Sequence, residues 1–264
     1  MIKSLANSFD KNAAEYRQFR PEYPVSLSKE IVRALGLSKG CRILEIGCGA
    51  GQATGLFSDL EPVQVSIDPG SNLLDECRAL HGDKPGYSFE CCTFEDYEDD
   101  PASFDLIYAA TSFHWLERGL RFKRAARFLN KRGGLAVFSD RHTKGIEGFF
   151  IEVQELYTKF APQLIPGNTM EPQGDSCEEK NPLSLIHEAK YDRDITYNSD
   201  DYIGLLKTFS GHIALGEARL NNLCEGIRPL IDTKYKGQII KTLTTSLSIY
   251  INKGMGQALH FYIK

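Results

Sequence analysis

A run of alternating glycines near residue 50 is the part of the sequence best suited to hold a ligand. The run reads Glu45-Ile46-Gly47-Cys48-Gly49-Ala50-Gly51 and begins within a short apolar segment. Glycines between a strand and a helix let the backbone approach a ligand closely and direct the N–H groups of the helix toward it. The segment therefore predicts a binding loop for a nucleotide-like ligand, with contacts from Gly47, Cys48, Gly49 and Gln52.

The spacing of these glycines distinguishes between classes of ligand. A dinucleotide-binding loop has the pattern G-x-G-x-x-G/A. Counted from Gly47 the sixth position is Gln52, and counted from Gly49 it is Thr54, so neither frame fits. The spacing disfavours a nicotinamide-dependent oxidoreductase, which remains the less favoured alternative.

A second acidic residue follows the next predicted strand. Residues 62–67 form a short apolar segment that ends at Asp68. A carboxylate at such a strand end can accept hydrogen bonds from the two hydroxyls of a ribose, as it does in nicotinamide enzymes. An N-cap for the following helix is the alternative role. The combination with the glycine loop favours ribose binding.

Strands and helices alternate around these residues. The apolar periods and breakers predict helices at about 25–35, 52–60, 71–80 and 118–130, and strands at about 43–46, 62–67, 87–92, 105–109 and 135–138. Such alternation predicts a parallel sheet with right-handed crossovers.

The rest of the sequence has a different pattern. Helices are predicted at about 148–161, 200–209 and 216–229, with a loop at 162–182 and a strand at 195–197. Apolar and polar residues alternate over 242–251, which predicts a half-exposed antiparallel strand that residues 258–263 could pair with. The helical part is either a plain extension or a lid over the site.

Three segments together resemble one enzyme family. These are the E-x-G-x-G-x-G loop, the stretch from Phe104 to Trp115 with its His-Trp pair, and an opening with Phe9, Tyr16, Arg20-Pro21 and Tyr23-Pro24. They resemble the class I S-adenosylmethionine-dependent methyltransferases, in particular the type 11 group related to trans-aconitate methyltransferase. The resemblance covers about residues 9–140.

The resemblance implies a fold and a division of the chain. The fold would be a Rossmann-like, doubly wound α/β fold with a mostly parallel seven-stranded sheet, an antiparallel edge strand and a helical insertion or lid. Residues 1–264 would form one domain, with parts at 1–37 (arm and helix), 38–142 (cofactor-binding core), 143–235 (insertion) and 236–264 (final strands).

The resemblance also implies a cofactor, S-adenosyl-L-methionine, and residues that contact it. In the family, the acid at the Glu45 position helps to hold the methionine amino end. The segment at Thr93 and Phe94 lines the adenine pocket, although Thr93 stands where an acid is common. The further cofactor contacts expected on this basis are Pro69, Ala110 and Trp115.

The acceptor side is less defined. The segment Ala109-Ala110-Thr111-Ser112 lacks the Asn/Asp-Pro-Pro-Tyr/Phe motif of many amino-nitrogen methyltransferases, so nucleobase methylation is disfavoured. A carboxylate acceptor needs only a cationic clamp, and a hydroxyl acceptor also needs a base. Tyr16, Arg20 and His114 are the predicted catalytic residues, and Arg141 and His142 are further candidates.

Composition sets the remaining expectations. A net charge of −4 and a pI near 5.9 give no general attraction to nucleic acid. No apolar run is long enough for a membrane span, and the polar start does not read as a secretory signal. Seven scattered cysteines and isolated histidines predict no disulfide framework and no metal site, consistent with a cytoplasmic protein. A small-molecule methyltransferase is expected, and a non-catalytic cofactor-binding regulator is the alternative.

Overall fold

The structure is a computed structural model that describes residues 13–142, 148–165 and 181–253. The elements are, in chain order, α1 (Ala13–Phe19), α2 (Val25–Leu35), β1 (Arg42–Ile46), β2 (Val63–Ile67), α3 (Ser71–His81), β3 (Tyr87–Glu90), β4 (Phe104–Ala110), α4 (Arg121–Phe128), β5 (Leu129–His142), α5 (Phe149–Phe160), β6 (Leu183–Tyr197), α6 (Ser199–Lys207), α7 (Ser210–Ile213), α8 (Glu217–Pro229) and β7 (Ile239–Asn252).

The strands form one seven-stranded sheet with the order β3-β2-β1-β4-β5-β7-β6. The first five strands in chain order pair in parallel, and β7 runs antiparallel to both of its neighbours, β5 and β6. The predicted fold class is confirmed. Because the chain winds in opposite directions from β1 and from β4, a crevice opens between the carboxyl ends of these two strands.

Apolar side chains cover both faces of the sheet. On one face, Leu27 and Ile31 of α2 pack against Ile43 of β1, all three without solvent exposure. On the other face, Ala125 and Phe128 of α4 lie in a cluster with residues of β1, β2 and β4. Helix α2 ends where predicted, because Gly36 adopts a left-handed conformation with φ of 63°.

The helix predicted at 52–60 is wrong. This segment forms successive turns and a short 3-10 helix at Ser58–Leu60. The backbone carbonyls of Ala53 and Thr54 are bonded by side chains from the sheet: the hydroxyl of Tyr108 donates to Ala53 at 3.3 Å, and the amide of Gln64 donates to Thr54 at 3.1 Å. These contacts take the place of the regular i→i+4 helix bonds.

The edge of the sheet differs from the prediction in one respect. The strand predicted at 195–197 extends over Leu183–Tyr197 and pairs with β7 along its length. The antiparallel strand predicted at 242–251 is confirmed as part of β7, whereas the suggested partner at 258–263 lies outside the described residues. Strand β6 has no clean apolar period, because exposed residues alternate with half-buried ones, and this hid its start from the sequence pattern.

Helices α5 to α8, called the helical cap below, have a hydrophobic core of their own. Phe149, Leu205, Leu223 and Ile227 are buried in it. Helix α1 joins the cap to the glycine loop, because the ring of Phe19 packs against Gly204 of α6. The helices predicted at 148–161, 200–209 and 216–229 are confirmed, each within a few residues.

Candidate active site

A narrow cleft of about 70 Å³ lies at the crevice between β1 and β4. It is lined by Tyr16, Arg20, Pro21, Tyr23, Gly47, Cys48, Gly49, Gln52, Ala53, Ala110, Thr111, Asp140, Phe209 and Leu243. One wall is the glycine loop, and the opposite wall combines the segment before α2 with β5, β7 and the helical cap. The cleft thus includes seven of the site residues predicted from sequence, namely Tyr16, Arg20, Gly47, Cys48, Gly49, Gln52 and Ala110.

The glycine loop is shaped by two requirements that only glycine meets. Gly47 and Gly49 have φ values of 67° and 55°, in the left-handed region. A Cβ atom on Gly47 would also lie 2.6 Å from the Cβ of Ser112, at the end of β4. The N–H groups of Gly47 and Cys48 donate to the carbonyl of Ile67 at 2.8 and 3.1 Å, which ties the loop to β2.

Asp68 is fixed to this loop. Its Oδ2 accepts a hydrogen bond from the Gly49 N–H at 2.9 Å, and its Oδ1 accepts one from the Gly70 N–H at 2.8 Å. The residue is 7% exposed, at the carboxyl end of β2 beside the crevice. Ligands of open α/β sheets bind at the carboxyl ends of the strands, and Asp68 lies at such an end. The ribose role of Asp68 stays a prediction.

Glu45 lies beneath the loop and does not line the cleft. Its side chain is 0% exposed, and Oε2 accepts hydrogen bonds from Thr54 and Ser66, each at 2.7 Å. Oε1 is buried without a hydrogen-bond partner among the described residues. Burial raises the pKa of Glu45 to about 7. Glu45 thus lies under the loop and outside the cleft lining, and its part in holding the methionine end stays a prediction.

The predicted adenine segment follows β3. Thr93 is half-buried, and its hydroxyl donates to Asp96 at 2.7 Å, so it is engaged within its own turn. Phe94 is 2% exposed and packs in the core, with its ring 6.4 Å from that of Phe128. Pro69 is exposed after Asp68, and Trp115 is half-buried on a 3-10 turn after β4. These residues surround the ends of β2, β3 and β4 outside the cleft itself.

Arg20 is held rigidly on the wall opposite the loop. Its Nε and Nη2 donate to the hydroxyl and the carbonyl of Thr208, both at 2.9 Å. Its guanidinium carbon lies 4.9 Å from the ring centroid of Tyr16 and 4.4 Å from that of Phe209. Two cation–π contacts and two hydrogen bonds therefore fix its plane. Tyr16 also lies over the loop, and its carbonyl accepts from Gln52 at 3.2 Å.

The sequence analysis missed Asp140, a carboxylate that lines the cleft at the end of β5. Its Oδ2 lies 3.2 Å from Arg193, and its Oδ1 accepts from the Thr245 hydroxyl at 2.5 Å. Burial raises its pKa, against the lowering effects of Thr245, Arg193 and Arg20. The rule that ligands bind at the carboxyl ends of strands could have singled it out.

Thr111 is the only β-branched residue with positive φ among the described residues, at 54°. A threonine in the left-handed region is strained, and such strain concentrates at functional sites. Its hydroxyl is 2.7 Å from the Tyr23 hydroxyl and accepts from the Asp140 N–H at 3.2 Å. This small network joins the ends of β4 and β5 to the segment before α2.

His114 does not line the cleft. It is exposed, with its ring 4.7 Å from that of Trp115. Partial burial, with the charges of Arg141 and Arg121, lowers its pKa. Arg141 is exposed at the end of β5, and the side chain of His142 lies outside the described part of the chain. His114 and Arg141 are therefore not among the residues that line the cleft, and the catalytic role of His114 stays a prediction.

Three further features of the described residues concern membrane-spanning helices, metal sites and free thiols. Within these ranges, no helix is both long and apolar enough to cross a membrane. No group of three or more His, Cys, Asp or Glu side chains is placed to hold a metal ion in the same part of the chain. Cys41, Cys48, Cys77, Cys91, Cys92 and Cys224 are free thiols.

Comparison with known proteins agrees with this geometry. Residues 43–133 match the family model described as a methyltransferase domain. A probable S-adenosylmethionine-dependent methyltransferase of Saccharomyces cerevisiae is 29% identical over 155 residues, which is 56% of this chain and 51% of that protein. A ubiquinone biosynthesis O-methyltransferase of Bradyrhizobium diazoefficiens is 32% identical over 109 residues, which is 40% of this chain and 42% of the relative.

A solved structure extends the likeness in fold. A putative type II methyltransferase from Anaeromyxobacter dehalogenans superposes with a TM-score of 0.60 at 20% identity, covering 88% of this chain and 97% of the other. The sheet order and the crevice define the class, a Rossmann-like α/β domain with its ligand loop after the first strand. Residues 43–133 are thus similar to a methyltransferase domain in sequence, and the chain shares the fold of a solved methyltransferase. The chain spans about half the length of the curated relatives, or less, and the trans-aconitate subgroup stays a prediction.

Proposed function

We propose that this chain transfers a methyl group from S-adenosylmethionine to an oxygen atom of a small molecule. The observation that carries the proposal is the composition of the cleft. The glycine loop forms one wall, and the fixed cation Arg20 and the carboxylate Asp140 belong to the other. A regulatory module that binds the cofactor without catalysis would be expected to have a closed or apolar acceptor wall. The two charged side chains argue for an enzyme.

The cofactor side has residues suited to the ribose and the adenine of the ligand. S-adenosylmethionine would supply a methyl group activated by a positively charged sulfur. The left-handed backbone at Gly47 and Gly49 leaves room for close approach to the loop. In this proposal Asp68 would accept hydrogen bonds from the ribose hydroxyls, and the segment at Thr93 and Phe94 would lie beside the adenine.

Arg20 is suited to orient a carboxylate acceptor. The contacts with Thr208 use Nε and Nη2, and Nη1 makes no hydrogen bond to any described residue. Its guanidinium therefore presents a fixed donor and a full positive charge to the cleft. A carboxylate needs no deprotonation at neutral pH, so alignment and exclusion of water are the main contributions required of the protein.

Asp140 is the candidate base for a hydroxyl acceptor. It lines the cleft, whereas His114 does not, and burial raises its pKa above that of an ordinary carboxyl group. A higher pKa makes a carboxylate a better proton acceptor. The O-methyltransferase activity in the name of the Bradyrhizobium relative supports oxygen as the acceptor atom.

We expect helix α1 to move when ligands bind. The cleft volume of about 70 Å³ is below the roughly 300–1,000 Å³ typical of small-molecule sites. Tyr16 lies over the loop, with its ring 3.8 Å from the position of a Cβ on Gly49. We expect outward movement of α1 to open the cofactor side, and its return to exclude water from the reacting atoms.

A labelled methyl group tests the proposal. The protein is titrated with S-adenosylmethionine, and then incubated with tritiated cofactor and a small-molecule extract. We expect binding and transfer of label to a small product. A methyl ester releases volatile label as methanol in mild alkali, whereas a methyl ether or methylamine does not, so the same assay identifies the acceptor group. Arg20→Gln should abolish most transfer to a carboxylate.

The exposed Arg33 on α2 provides the matched control, since Arg33→Gln removes the same charge away from the cleft. Failure to bind the cofactor at millimolar concentration would overturn the proposal. Binding without transfer to any small molecule would favour the regulatory alternative.

A further inference from the structure

Lys241 lies beside the cleft and is not part of the machinery described so far. It is two residues before Leu243 on β7, and side chains two apart in a strand point to the same face. Leu243 lines the cleft, so Lys241 continues that wall under the helical cap. Its Nζ lies 5.2 Å from the ring centroid of Phe150 and 5.5 Å from that of Tyr202.

The ammonium group of Lys241 has no counter-ion in the described part of the chain. It makes no salt bridge or hydrogen bond there, and its polar contacts are the two aromatic faces. Burial lowers the pKa of Lys241 to about 8, so the group is still mostly protonated at neutral pH. Burial of a cation without a carboxylate costs free energy, which the two aromatic faces offset in part, and an anion bound beside the ammonium group would offset it further.

Arg20 lies in the same region and is also without an ion pair among the described residues. The ring of His212 lies near Arg20: it is 5.6 Å from the ring of Phe209, which stacks on the Arg20 guanidinium. Burial, together with the charges of Lys241 and Arg20, lowers the pKa of His212 to about 4. Both cations are thus close enough to His212 to affect its charge.

The nearest carboxylate does not neutralise this pair. Asp140 is engaged by Arg193 at 3.2 Å and by the Thr245 hydroxyl. His212 is neutral, and its Nε2 is hydrogen-bonded to the Tyr157 hydroxyl at 2.8 Å. Arg20 in the cleft and Lys241 beside it therefore carry two positive charges that no carboxylate among the described residues pairs with.

We infer that Arg20 and Lys241 form an oxyanion-binding subsite under the helical cap, and that the methyl acceptor is an acidic small molecule held there. The substrate class rests on the proposed function, since it assumes that the cleft is a methyl-transfer site. The shared chemistry is an oxyanion on an apolar or aromatic body, either a carboxylate or a phosphate. The aromatic side chains Phe150, Tyr202 and Phe209 would contact that body.

Binding of simple anions tests the subsite without knowledge of the substrate. The protein with S-adenosylhomocysteine bound is titrated at constant ionic strength with glutarate, with inorganic phosphate and with the uncharged glutaramide. We expect one or both anions to bind and glutaramide not to bind. Tighter binding of glutarate would identify a carboxylic acid as the acceptor, and tighter binding of phosphate would identify a phosphorylated molecule.

Variants of Lys241 assign the binding to the subsite. Lys241→Met keeps the stem between the rings and removes the charge, and it should weaken anion binding about tenfold or more. Lys241→Arg should retain binding. Lys190→Met, on the exposed side of β6, is the matched control and should have no effect. If Lys241→Met does not fold, Lys241→Gln serves as the second neutral variant.

Equal binding of glutaramide and glutarate, no anion binding at millimolar concentration, or unchanged anion affinity in the neutral variants would each overturn the subsite. The affinity for S-adenosylhomocysteine is measured separately and should be the same in all variants. A wild-type protein that binds anions through Lys241 but does not bind S-adenosylhomocysteine would refute the proposed function and leave the subsite in place.

Discussion

The carboxylate of Asp68 combines two roles in this fold. It holds the glycine loop through the N–H groups of Gly49 and Gly70, and it stands where a ribose would lie. Loss of the side chain would therefore affect both the loop and the ligand. A test has to separate these two effects.

We expect Asp68→Ala to weaken S-adenosylhomocysteine binding by about 1.5–3 kcal/mol, the value of a hydrogen bond to a charged group. Isothermal titration with the cofactor product and with its 2′-deoxyribose analogue gives the measurement. If Asp68 bonds the ribose, the analogue should bind more weakly to the wild type but nearly equally to the variant. An equal penalty in both proteins would remove Asp68 from the ribose role. Asp75→Ala, on the exposed face of α3, is the control.

At the scale of single residues, the sequence was sufficient to predict site residues whose positions depend on local backbone geometry. The positions of Gly47 and Gly49 follow from turn conformation, and Asp68 follows from its place at a strand end. The burial of Glu45 could not be predicted, because its partners Thr54 and Ser66 come from other parts of the chain. Asp140 was missed because the fifth strand was predicted to end at about residue 138, whereas β5 continues to His142 and has Asp140 near its carboxyl end.

At the scale of an element, strand β7 was likewise predictable from its local sequence pattern. Its alternating pattern arises because one face packs against the sheet core and the other is half-exposed. Ile249 is 0% exposed, whereas Ile240 is 62% exposed. The sequence predicted this strand because the alternation is local, and it missed the start of β6 because neither face of that strand is strongly apolar.

The two isoleucines give a matched prediction for this strand. Ile249→Ala should lower the free energy of unfolding by about 2–5 kcal/mol, because it removes buried methylene groups and leaves a cavity. Ile240→Ala should change it by no more than about 0.5 kcal/mol. Urea denaturation measures both. Comparable losses for the two variants would contradict the packing of β7 described above.

For the molecule as a whole, the buried carboxyl of Glu45 links stability to pH. Burial raises its pKa from 4.5 to about 7 in the folded state. Between these two values the folded protein binds a proton that the unfolded chain has released, so this group makes the fold less stable as the pH rises. Above a pH of about 7, Glu45 is ionised in both states and its destabilising effect on the fold no longer increases.

Glu45→Gln should remove this pH dependence. Relative to the wild type, the free energy of unfolding of the variant should rise by about 3 kcal/mol between about pH 5 and about pH 8. Urea denaturation across this range gives the two curves. Glu188→Gln, an exposed change on β6, is the control, and its free energy of unfolding should follow the same pH dependence as that of the wild type. A constant difference between Glu45→Gln and wild type would show that Glu45 titrates normally.

The position of β7 between β5 and β6 also constrains the order of assembly during synthesis. Strand β6 leaves the ribosome before β7 but has no partner in the sheet until β7 has been made. Until then the edge of β5 is also open, although the parallel strands β1 to β5 can already pair. The exposed charges along β6, at Glu188, Lys190, Asp192 and Asp194, protect the waiting strand from pairing with other nascent chains.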